Sequence, residues 1–254
     1  MNGLSAEVTR LRVAVIGAGG RMGQQVCAAI EAADDLVLSA RIDLGDDVAA
    51  VTGSDVAVVF SVPDVAPGHV LACIRHGVHA VVGTSGWTAA SLDAVRTELA
   101  TSPGLGVLVA PNFALGAVLL VKFAALAAPL YESVEIIELH HPDKVDAPSG
   151  TARHTAELVA AARREAGCGP IPDATTTALD GARGAEIEGV RVHSVRLRGL
   201  VAHEEVLLGG PGELLTLRHD SFDRSSFMPG VLLGVRTVGS RPGLTVGLEH
   251  YLDG

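Results

Sequence analysis

The sequence predicts an α/β protein: a Rossmann-type, doubly wound parallel sheet followed by an α+β region with a mixed sheet. Two observations support this fold class. In the first half, short apolar runs alternate with helical segments, which is typical of βαβ units in a parallel sheet. After about residue 130, three strand-like runs follow one another closely, and consecutive strands favour an antiparallel or mixed sheet. The length of 254 residues allows two modest domains or one large one.

The first half begins with a short apolar run, Leu11–Ile16, that ends in glycines. The later strands are likewise short and apolar, and Pro111 follows the last of them. The further predicted strands are Leu36–Ile42, Val56–Phe60, His79–Val82 and Gly106–Val109, and the predicted helices are Met22–Ala33, Val65–His76 and Thr88–Ala100.

The second half opens with a strand-like run and an alanine-rich helix, and a Pro- and Thr-rich loop separates these from three further strands. A final helical segment contains Gly230 and Gly234, which lower its helix propensity. In chain order the predictions are strand Val134–Leu139, helix Thr151–Glu165, loop Gly167–Ala182, strands Val190–Leu197, His203–Leu208 and Glu213–His219, and helix Phe227–Val238.

The composition argues against several classes of function. Hydrophobic residues make up 48% of the chain, which supplies a sizeable core, and the formal net charge is −10. This negative charge argues against nucleic acid as a partner and gives no support for binding to an anionic membrane surface. No apolar run reaches the roughly 18–20 residues that a transmembrane helix needs, so no membrane partner is expected.

The cysteines and the N-terminal residues suggest a cellular location. Cys27, Cys73 and Cys168 form no CxxC pair, which suggests a reducing compartment. The first residues lack a basic stretch followed by an apolar run, so no signal peptide is expected. We therefore expect a cytoplasmic protein. No His, Cys or carboxylate spacing completes a zinc pattern, and no metal site is expected.

The glycine-rich turn Gly17–Gly23 follows the first strand and precedes the first helix. It resembles the GxGxxG fingerprint, in which glycines allow a tight turn and close approach of the backbone to a pyrophosphate. Asp43 ends the second strand, where an acid binds the adenosine ribose and repels a 2′-phosphate. NADH is therefore favoured, while the nearby Arg21 and Arg41 keep NADPH open. The alternatives are a purely structural turn and a solvated carboxylate.

Three further segments lie at the ends of predicted strands of the same sheet. Phe60–Pro63 and Gly83–Trp87 come after the third and fourth strands, and Ala110–Phe113 comes after the fifth. Ligands bind at the carboxyl ends of parallel strands, so these small, polar segments are placed where a nicotinamide would lie. Each segment taken singly is better explained as an ordinary loop, and it is their repeated placement at strand ends that favours a ligand site.

The segment Glu138–Thr151 concentrates protonatable groups beside a predicted helix start. It contains His140, His141 and Lys144 within five positions, and Ser149 is a good N-cap. Backbone N–H groups at a helix start favour an anion. The pattern therefore predicts a place where a small acidic molecule is held and protonated. Structural histidines, a metal site and a solvated basic loop are the alternatives.

Four segments together resemble the 4-hydroxy-tetrahydrodipicolinate reductase family, also called dihydrodipicolinate reductase, in its short actinobacterial type. The most specific is E-L-H-H-x-x-K-x-D-x-P-S-G-T, which spans Glu138–Thr151. The resemblance extends from about Val13 to Gly230, nearly the whole chain. The other three segments are Gly17–Gly23, Gly83–Gly86 and Ala110–Phe113.

The resemblance implies a dinucleotide-binding domain of residues 1–113 and 224–254, with a substrate-binding and oligomerisation domain of residues 114–223 inserted between them. It also implies a homotetramer. The implied reaction is the NAD(P)H-dependent reduction of 4-hydroxy-tetrahydrodipicolinate, a cyclic product of aspartate semialdehyde and pyruvate. The product would be tetrahydrodipicolinate, which leads to diaminopimelate and lysine.

The resemblance also implies a role for individual residues. His140 corresponds to the family's proton donor and acceptor, and Lys144 to a second proton donor. His141, Gly150 and Thr151 correspond to contacts with the carboxylates of a dicarboxylate substrate. The implied contacts with NADH or NADPH are Gly17, Ala18, Gly19, Gly20, Arg21, Met22, Asp43, Gly83, Thr84, Ser85, Ala110, Pro111, Asn112 and Phe113.

The chain departs from the family pattern at a few positions. Ser61 replaces the commoner threonine after the third strand, and Ser85 and Trp87 stand where Thr and Phe are usual. These positions touch the nicotinamide end, so they bear on cofactor affinity. The family's G-x-H pattern reads here as Ala-His203-Glu, and no role is transferred to that histidine.

Two alternative functions remain open at this point. A non-catalytic, NAD-sensing protein would need the glycine turn but not His140 and Lys144. A different NAD(P)-dependent reductase would act on another acidic metabolite of amino-acid metabolism. The intact His-His-x-x-Lys segment argues against the first alternative, because a sensor has no use for placed proton donors.

Overall fold

The computed structural model describes residues 10–252 and divides the chain into two compact units. The first unit runs through Phe113 and resumes at Phe227, and the second comprises Ala114–Ser226. The second unit is therefore an insertion in the first. The observed division at Phe227 lies three residues beyond the expected boundary at residue 224.

The described residues form eleven β-strands and six α-helices. The strands are β1 Leu11–Ile16, β2 Leu36–Ile42, β3 Val56–Val59, β4 His79–Val82, β5 Gly106–Val109, β6 Ser133–His140, β7 Ala185–Ile187, β8 Val190–Arg196, β9 Ala202–Gly210, β10 Glu213–Ser221 and β11 Gly243–Val246. The helices are α1 Arg21–Glu31, α2 Ala66–Arg75, α3 Ala89–Leu99, α4 Leu115–Ala127, α5 Gly150–Glu165 and α6 Met228–Thr237.

The first unit contains a six-stranded parallel sheet in the order β11-β5-β4-β3-β1-β2. Strands β3 and β5 are buried along their whole length, as expected for a parallel sheet covered on both faces. Helix α3 begins with a capping box, in which Thr88 and Ser91 satisfy each other's backbone N–H groups. The predicted Rossmann-type sheet is confirmed.

The second unit contains a five-stranded mixed sheet in the order β10-β9-β6-β8-β7. Strand β6 pairs parallel with β8 and antiparallel with β9, and the two outer pairs are antiparallel. Helices α4 and α5 supply apolar side chains such as Leu120 and Val159 to a core with Val134 and Ile136 of β6. The predicted mixed sheet is therefore confirmed.

The sequence analysis missed three elements, each for a physical reason. Helix α4 is apolar on nearly every face, so it lacks the 3.6-residue periodicity by which amphipathic helices are recognised. Strand β7 has only three residues, and β11 is partly exposed, so it lacks the buried apolar run that marks β3 and β5. The predicted helix that contains Gly230 is present as α6. Glycine is required at this position because a side chain there would overlap the Phe113 carbonyl oxygen.

Candidate active site

The glycine turn, Gly17–Gly23, is tightly packed in the first unit. Gly17 has φ of +84°, a conformation that favours glycine. A side chain at Gly17 would overlap the Phe60 carbonyl oxygen, and one at Gly23 would overlap the carbonyl oxygen of Gly17. The third glycine of the turn is residue 23, one residue later than in a strict GxGxxG fingerprint. The backbone nevertheless enters α1 directly from the turn.

Asp43 follows β2 and lies against the glycine turn, as the sequence predicts. Its Oδ2 accepts a hydrogen bond of 2.6 Å from the Gly19 N–H, and a side chain at Gly19 would overlap this carboxylate. A cavity of about 490 Å³ lies here, which we call the cofactor cavity. Its lining residues are Ala18, Gly19, Gln24, Cys27, Ala28, Glu31, Arg41, Asp43 and Asp46.

The charges of the cofactor cavity are mostly negative. Glu31, Asp43 and Asp46 contribute three carboxylates, and Arg41 contributes one cation. Arg41 is already paired with Glu31, with 2.6 Å between Nη2 and Oε1. An additional phosphate here would meet two further carboxylates, and Coulomb repulsion disfavours that arrangement. A neutral ribose hydroxyl meets hydrogen-bond acceptors instead.

The loops after β3, β4 and β5 interlock at the carboxyl edge of the sheet. The Thr84 hydroxyl donates to the Ser61 carbonyl oxygen at 3.1 Å, and Trp87 Nε1–H donates to the Thr84 carbonyl oxygen at 2.9 Å. The rings of Phe60 and Phe113 pack with centroids 6.1 Å apart. The departures at Ser61 and Trp87 therefore belong to one hydrogen-bonded loop structure. These loops and the glycine turn fit a bound dinucleotide.

Glu138 lies at the centre of a buried cluster in the second unit. It is fully buried, and its two oxygens each accept a 2.8 Å hydrogen bond from the Arg196 guanidinium. The Ser149 N–H also donates to it, at 3.2 Å. Burial alone would raise the pKa of Glu138, but hydrogen bonds from His140 and Arg196 outweigh burial and lower that pKa to about 2. The residue is therefore a carboxylate.

His140 ends β6, and this carboxylate holds its ring. The distance from His140 Nδ1 to Glu138 Oε2 is 2.5 Å. Because Glu138 is ionised, Nδ1 must carry the proton of this hydrogen bond. The contact fixes both the ring orientation and the tautomer, so Nε2 is the atom that exchanges protons. We call Glu138, His140, Arg196 and Ser149 the Glu138 network.

Lys144 and the helix start lie next along the chain. Lys144 Nζ pairs with Asp146 Oδ1 at 2.7 Å, and 22% of the lysine side chain is exposed. Arg196 donates to the Asp146 carbonyl oxygen at 2.7 Å, which ties this loop to the Glu138 network. The Ser149 hydroxyl accepts from the Ala152 N–H at 3.2 Å, so the predicted N-cap is confirmed.

The first turn of α5 is open to a ligand. The helix begins at Gly150, where an added side chain would meet no atom within 4 Å. The backbone N–H groups of a first turn and the helix dipole favour an anion. His141 follows β6 immediately and is exposed. The second unit thus places two histidines, a lysine and a helix start along one segment, as predicted.

Comparisons with known proteins agree with this geometry. Residues 11–113 match the family model "Dihydrodipicolinate reductase, N-terminus", and residues 116–252 match "Dihydrodipicolinate reductase, C-terminus". The chain belongs to the dihydrodipicolinate reductase family. The membership predicted from the sequence is confirmed. The chain is accordingly an oxidoreductase, dependent on pyridine nucleotide, with an NAD(P)-binding N-terminal unit.

Individual relatives cover nearly the whole chain. The 4-hydroxy-tetrahydrodipicolinate reductase of Nocardia farcinica is 63% identical over 96% of this chain and 99% of its own length. The protein of the same name from Streptomyces avermitilis is 60% identical, over 97% and 99%. A dipicolinate-bound dihydrodipicolinate reductase from Paenisporosarcina sp. TG-14 is 36% identical, with a TM-score of 0.87 over 95% of this chain and 99% of its own.

The sequence patterns assign no role to two members of the Glu138 network, Glu138 itself and Arg196. One signal was present: Glu138 lies on the same face of β6 as Val134 and Ile136, so it faces the core, where a carboxylate needs a partner. The partner lies 58 residues away in the chain, beyond the reach of spacing arguments.

His203 makes structural contacts within the second unit. Its Nε2 accepts a hydrogen bond of 3.1 Å from the Val201 N–H. Its Nδ1 contacts Asp220 Oδ1 at 2.7 Å, so both ring nitrogens are engaged within the second unit. The side chain is buried. These contacts join β9 to β10.

Proposed function

We propose that this chain reduces 4-hydroxy-tetrahydrodipicolinate to tetrahydrodipicolinate with NAD(P)H, in diaminopimelate and lysine biosynthesis. The observation that carries the proposal is the Glu138 network beside the start of α5. A buried carboxylate fixes His140 in one tautomer, next to a helix start that favours an anion. A proton-transfer group placed beside a carboxylate site matches the reduction of an acidic, unsaturated ring.

The residues of the second unit bind the substrate and supply the proton. His141, Lys144 and the backbone N–H groups of Gly150 and Thr151 hold the substrate carboxylates. His140, through Nε2, or Lys144, through Nζ, delivers the proton. Glu138 holds the His140 ring, so the proton is presented from a fixed direction. Positioned proton transfer of this kind contributes about 10²–10⁴-fold to the rate.

The first unit's residues bind and orient the dinucleotide. When bound, NADH or NADPH supplies the hydride. The glycine turn and the loop residues approach the pyrophosphate and the nicotinamide through their backbone, and Asp43 accepts hydrogen bonds from the ribose. The proposed contacts are Gly17, Ala18, Gly19, Gly20, Arg21, Met22, Asp43, Gly83, Thr84, Ser85, Ala110, Pro111, Asn112 and Phe113.

NADH is the favoured cofactor under this proposal. The three carboxylates of the cofactor cavity support it, because a 2′-phosphate would lie among them. Arg41 is the one cation of the cavity lining, and Glu31 already neutralises it. Arg41 could pair with a 2′-phosphate only by giving up its ion pair with Glu31. The cavity therefore favours a ribose with a free 2′-hydroxyl.

The proposal includes a homotetramer in the cytoplasm. Three large apolar side chains at and after the end of α4 are exposed: Phe123 at 48%, Leu126 at 75% and Leu130 at 82%. Their spacing puts them along one side of the helix end, and apolar patches of this kind are typical of protein interfaces. Among residues 10–252, no helix combines the length and the apolar character that crossing a bilayer requires.

The Glu138 network also weighs against a non-catalytic NAD sensor. Burying a carboxylate beside a guanidinium is costly, and the hydrogen bonds that Glu138 accepts from Arg196 and Ser149 offset that cost here. A sensor would gain nothing from directing that charge onto a histidine at the end of β6. A reductase of another acidic metabolite would use the same network, so substrate assays must distinguish the two.

The proposed function is tested by a coupled assay. The synthase that condenses aspartate semialdehyde with pyruvate generates the substrate in place, and NADH consumption is followed after this chain is added. We expect consumption that requires both synthase substrates. Consumption without pyruvate would indicate a different substrate, and NADH binding without any consumption would favour the sensor.

A further inference from the structure

Glu204 is a buried acid that the proposed proton path does not use. It lies on β9, directly opposite Glu138 of β6 and His219 of β10. Only 5% of its surface is exposed. Residues directly opposite in neighbouring antiparallel strands share a face of the sheet, so Glu204 and Glu138 face the same side. Two carboxylates on one buried face need an explanation.

The hydrogen bonds of Thr155 indicate where a proton resides. The Thr155 hydroxyl lies 2.6 Å from Glu204 Oε1 and 3.0 Å from the Thr151 carbonyl oxygen. A hydroxyl has one proton to donate, so it cannot make a full hydrogen bond to both oxygens at once. Each contact is a full hydrogen bond when Glu204 carries a proton and donates it to Thr155, which then donates to Thr151.

The surroundings favour this protonated form. Burial, joined by the charge of Glu138, raises the pKa of Glu204 to about 7, and the hydrogen bond that Thr155 would donate to the ionised carboxylate opposes this rise. The Arg196 guanidinium places both of its terminal nitrogens on Glu138. On β10, burial lowers the pKa of His219, which favours its neutral form. The charged or titratable residues of α4 and of the first turns of α5 are exposed: Lys122, Arg153 and His154.

We propose that Glu204, as a neutral acid, is a positioning residue that holds the first turn of α5 through Thr155, and that loss of its proton weakens anion binding at Gly150 and Thr151. This inference rests on the proposed function, in which that turn holds a substrate carboxylate. It extends the site by a residue 49 positions from Thr155 in the chain.

The direction of the effect follows from charge and hydrogen bonding. Ionised Glu204 has no proton to donate, so Thr155 turns its hydroxyl toward the carboxylate and releases the Thr151 carbonyl oxygen. The ionised group also adds a buried negative charge below a turn that must receive an anion. Both changes raise the dissociation constant of an anionic ligand as the pH rises through about 7.

The test measures dipicolinate binding by calorimetry in the presence of saturating NADH, between about pH 6 and about pH 8.5. The wild-type dissociation constant is expected to rise by roughly tenfold over this range, as for the loss of one buried hydrogen bond. Glu204→Gln keeps a donor for Thr155 and has no proton to lose, so its dissociation constant should rise much less. Glu205→Gln is the matched control, since Glu205 is the neighbouring residue and pairs with Arg218.

His140, His141 and Lys144 are present in every variant, so the difference between wild type and Glu204→Gln isolates Glu204. A second variant, Thr155→Val, keeps the side-chain shape and removes the hydroxyl that links Glu204 to the Thr151 carbonyl oxygen. It should bind dipicolinate at about pH 6 as weakly as wild type binds at the alkaline end. Tight, wild-type-like binding by Thr155→Val would overturn the inference.

Two further outcomes separate this inference from the proposed function. A Glu204→Gln profile as steep as that of wild type would overturn the inference and leave the proposed function standing. Failure of wild type to bind dipicolinate at any pH, together with no turnover in the coupled assay, would overturn the proposed function and the inference with it. If Glu204→Gln does not fold, Thr155→Val decides the question alone.

Discussion

The glycine turn of the first unit and the Glu138 network of the second, the two regions that we propose act on ligands, are built by different physical means. At the turn, side chains are absent, and any added atom at Gly17 or Gly23 would overlap the backbone. In the network, a fully buried carboxylate is held by hydrogen bonds from three residues. The first site depends on shape, and the second depends on charge.

This difference teaches what each site tolerates. A shape-based site loses affinity when volume is added, while its chemistry is unaffected, because the backbone carries no proton. A charge-based site keeps its shape under an isosteric change but loses the orientation and the proton that the charge controls. Substitutions in the two units should therefore separate cofactor affinity from turnover.

The largest expected effect comes from Lys144→Ala. We expect turnover to fall by about 10²–10⁴-fold, the usual contribution of a positioned proton donor, with the dissociation constant of NADH unchanged. Steady-state kinetics and an NADH fluorescence titration measure the two quantities. The chain offers a matched control, because Lys122 is its one other lysine, and Lys122→Ala should leave turnover near wild type. Equal losses in turnover and NADH affinity would break the division between the units.

The second largest effect is expected for Glu138→Gln. The free energy of unfolding should fall by about 3–5 kcal/mol, because the change leaves Arg196 without its counter-charge. Glu135→Gln is the control: Glu135 lies on the same strand and also pairs with an arginine and a histidine, Arg183 and His193, but is partly exposed. Urea unfolding should show a smaller loss for the control, with turnover retained.

The pH dependence of the same residue follows from its lowered pKa. In the folded state the pKa of Glu138 is about 2, below its ordinary value. Its stabilising contribution is therefore present above the ordinary pKa and is lost as the pH falls toward about 2. Wild type should lose stability in this acidic window faster than Glu138→Gln does. Parallel acid unfolding curves for the two proteins would contradict the ion-pair account.

A smaller effect is expected for Gly23→Ala. The added methyl group overlaps the Gly17 carbonyl oxygen, so we expect a loss of about 1–3 kcal/mol in stability and weaker NADH binding. Gly68→Ala is the control, because Gly68 lies in α2 with open space around it, and alanine favours a helix there. Thermal unfolding and NADH titration measure both. Unchanged NADH affinity in a folded Gly23→Ala protein would mean that the turn does not approach the cofactor.

The smallest effect is expected for Asp43→Ala. Removing one carboxylate from the cofactor cavity relieves its repulsion of a 2′-phosphate, so the preference for NADH over NADPH should narrow by roughly tenfold. The ratio of kcat/KM for the two cofactors measures this. Asp34→Ala, at an exposed residue outside the cavity lining, should leave the ratio unchanged. An unaltered ratio for Asp43→Ala would remove this residue from the specificity argument.

Sequence patterns predicted the local parts of both sites, and long-range contacts were beyond them. The bounds of β1, β2, β4 and β5 agree with prediction, because apolar runs bounded by polar residues or glycine are local signals. Helix α4 was not predicted, because it is apolar on nearly every face and so lacks a helical hydrophobic period.

The sequence patterns also could not predict which residues contact Glu138 and Glu204 in the second unit. Glu138 meets Arg196 only because β6 pairs with β8. Glu204 meets Thr155 only because α5 packs over the sheet of the second unit. Residue spacing does not encode such contacts, whereas the alternation of buried positions along β6 did mark Glu138 as a core-facing charge. Strand pairing is therefore the information that the sequence analysis lacked.

The central proposal is that this chain passes a hydride from bound NADH to a dicarboxylate substrate and supplies the proton from its own side chains. The most direct measurement uses NADH that carries deuterium at its transferable position, with the substrate generated by the synthase. Mass spectrometry of the product should find tetrahydrodipicolinate that carries one deuterium. Product without deuterium, or labelled NADH that is bound but not consumed, would contradict the claim.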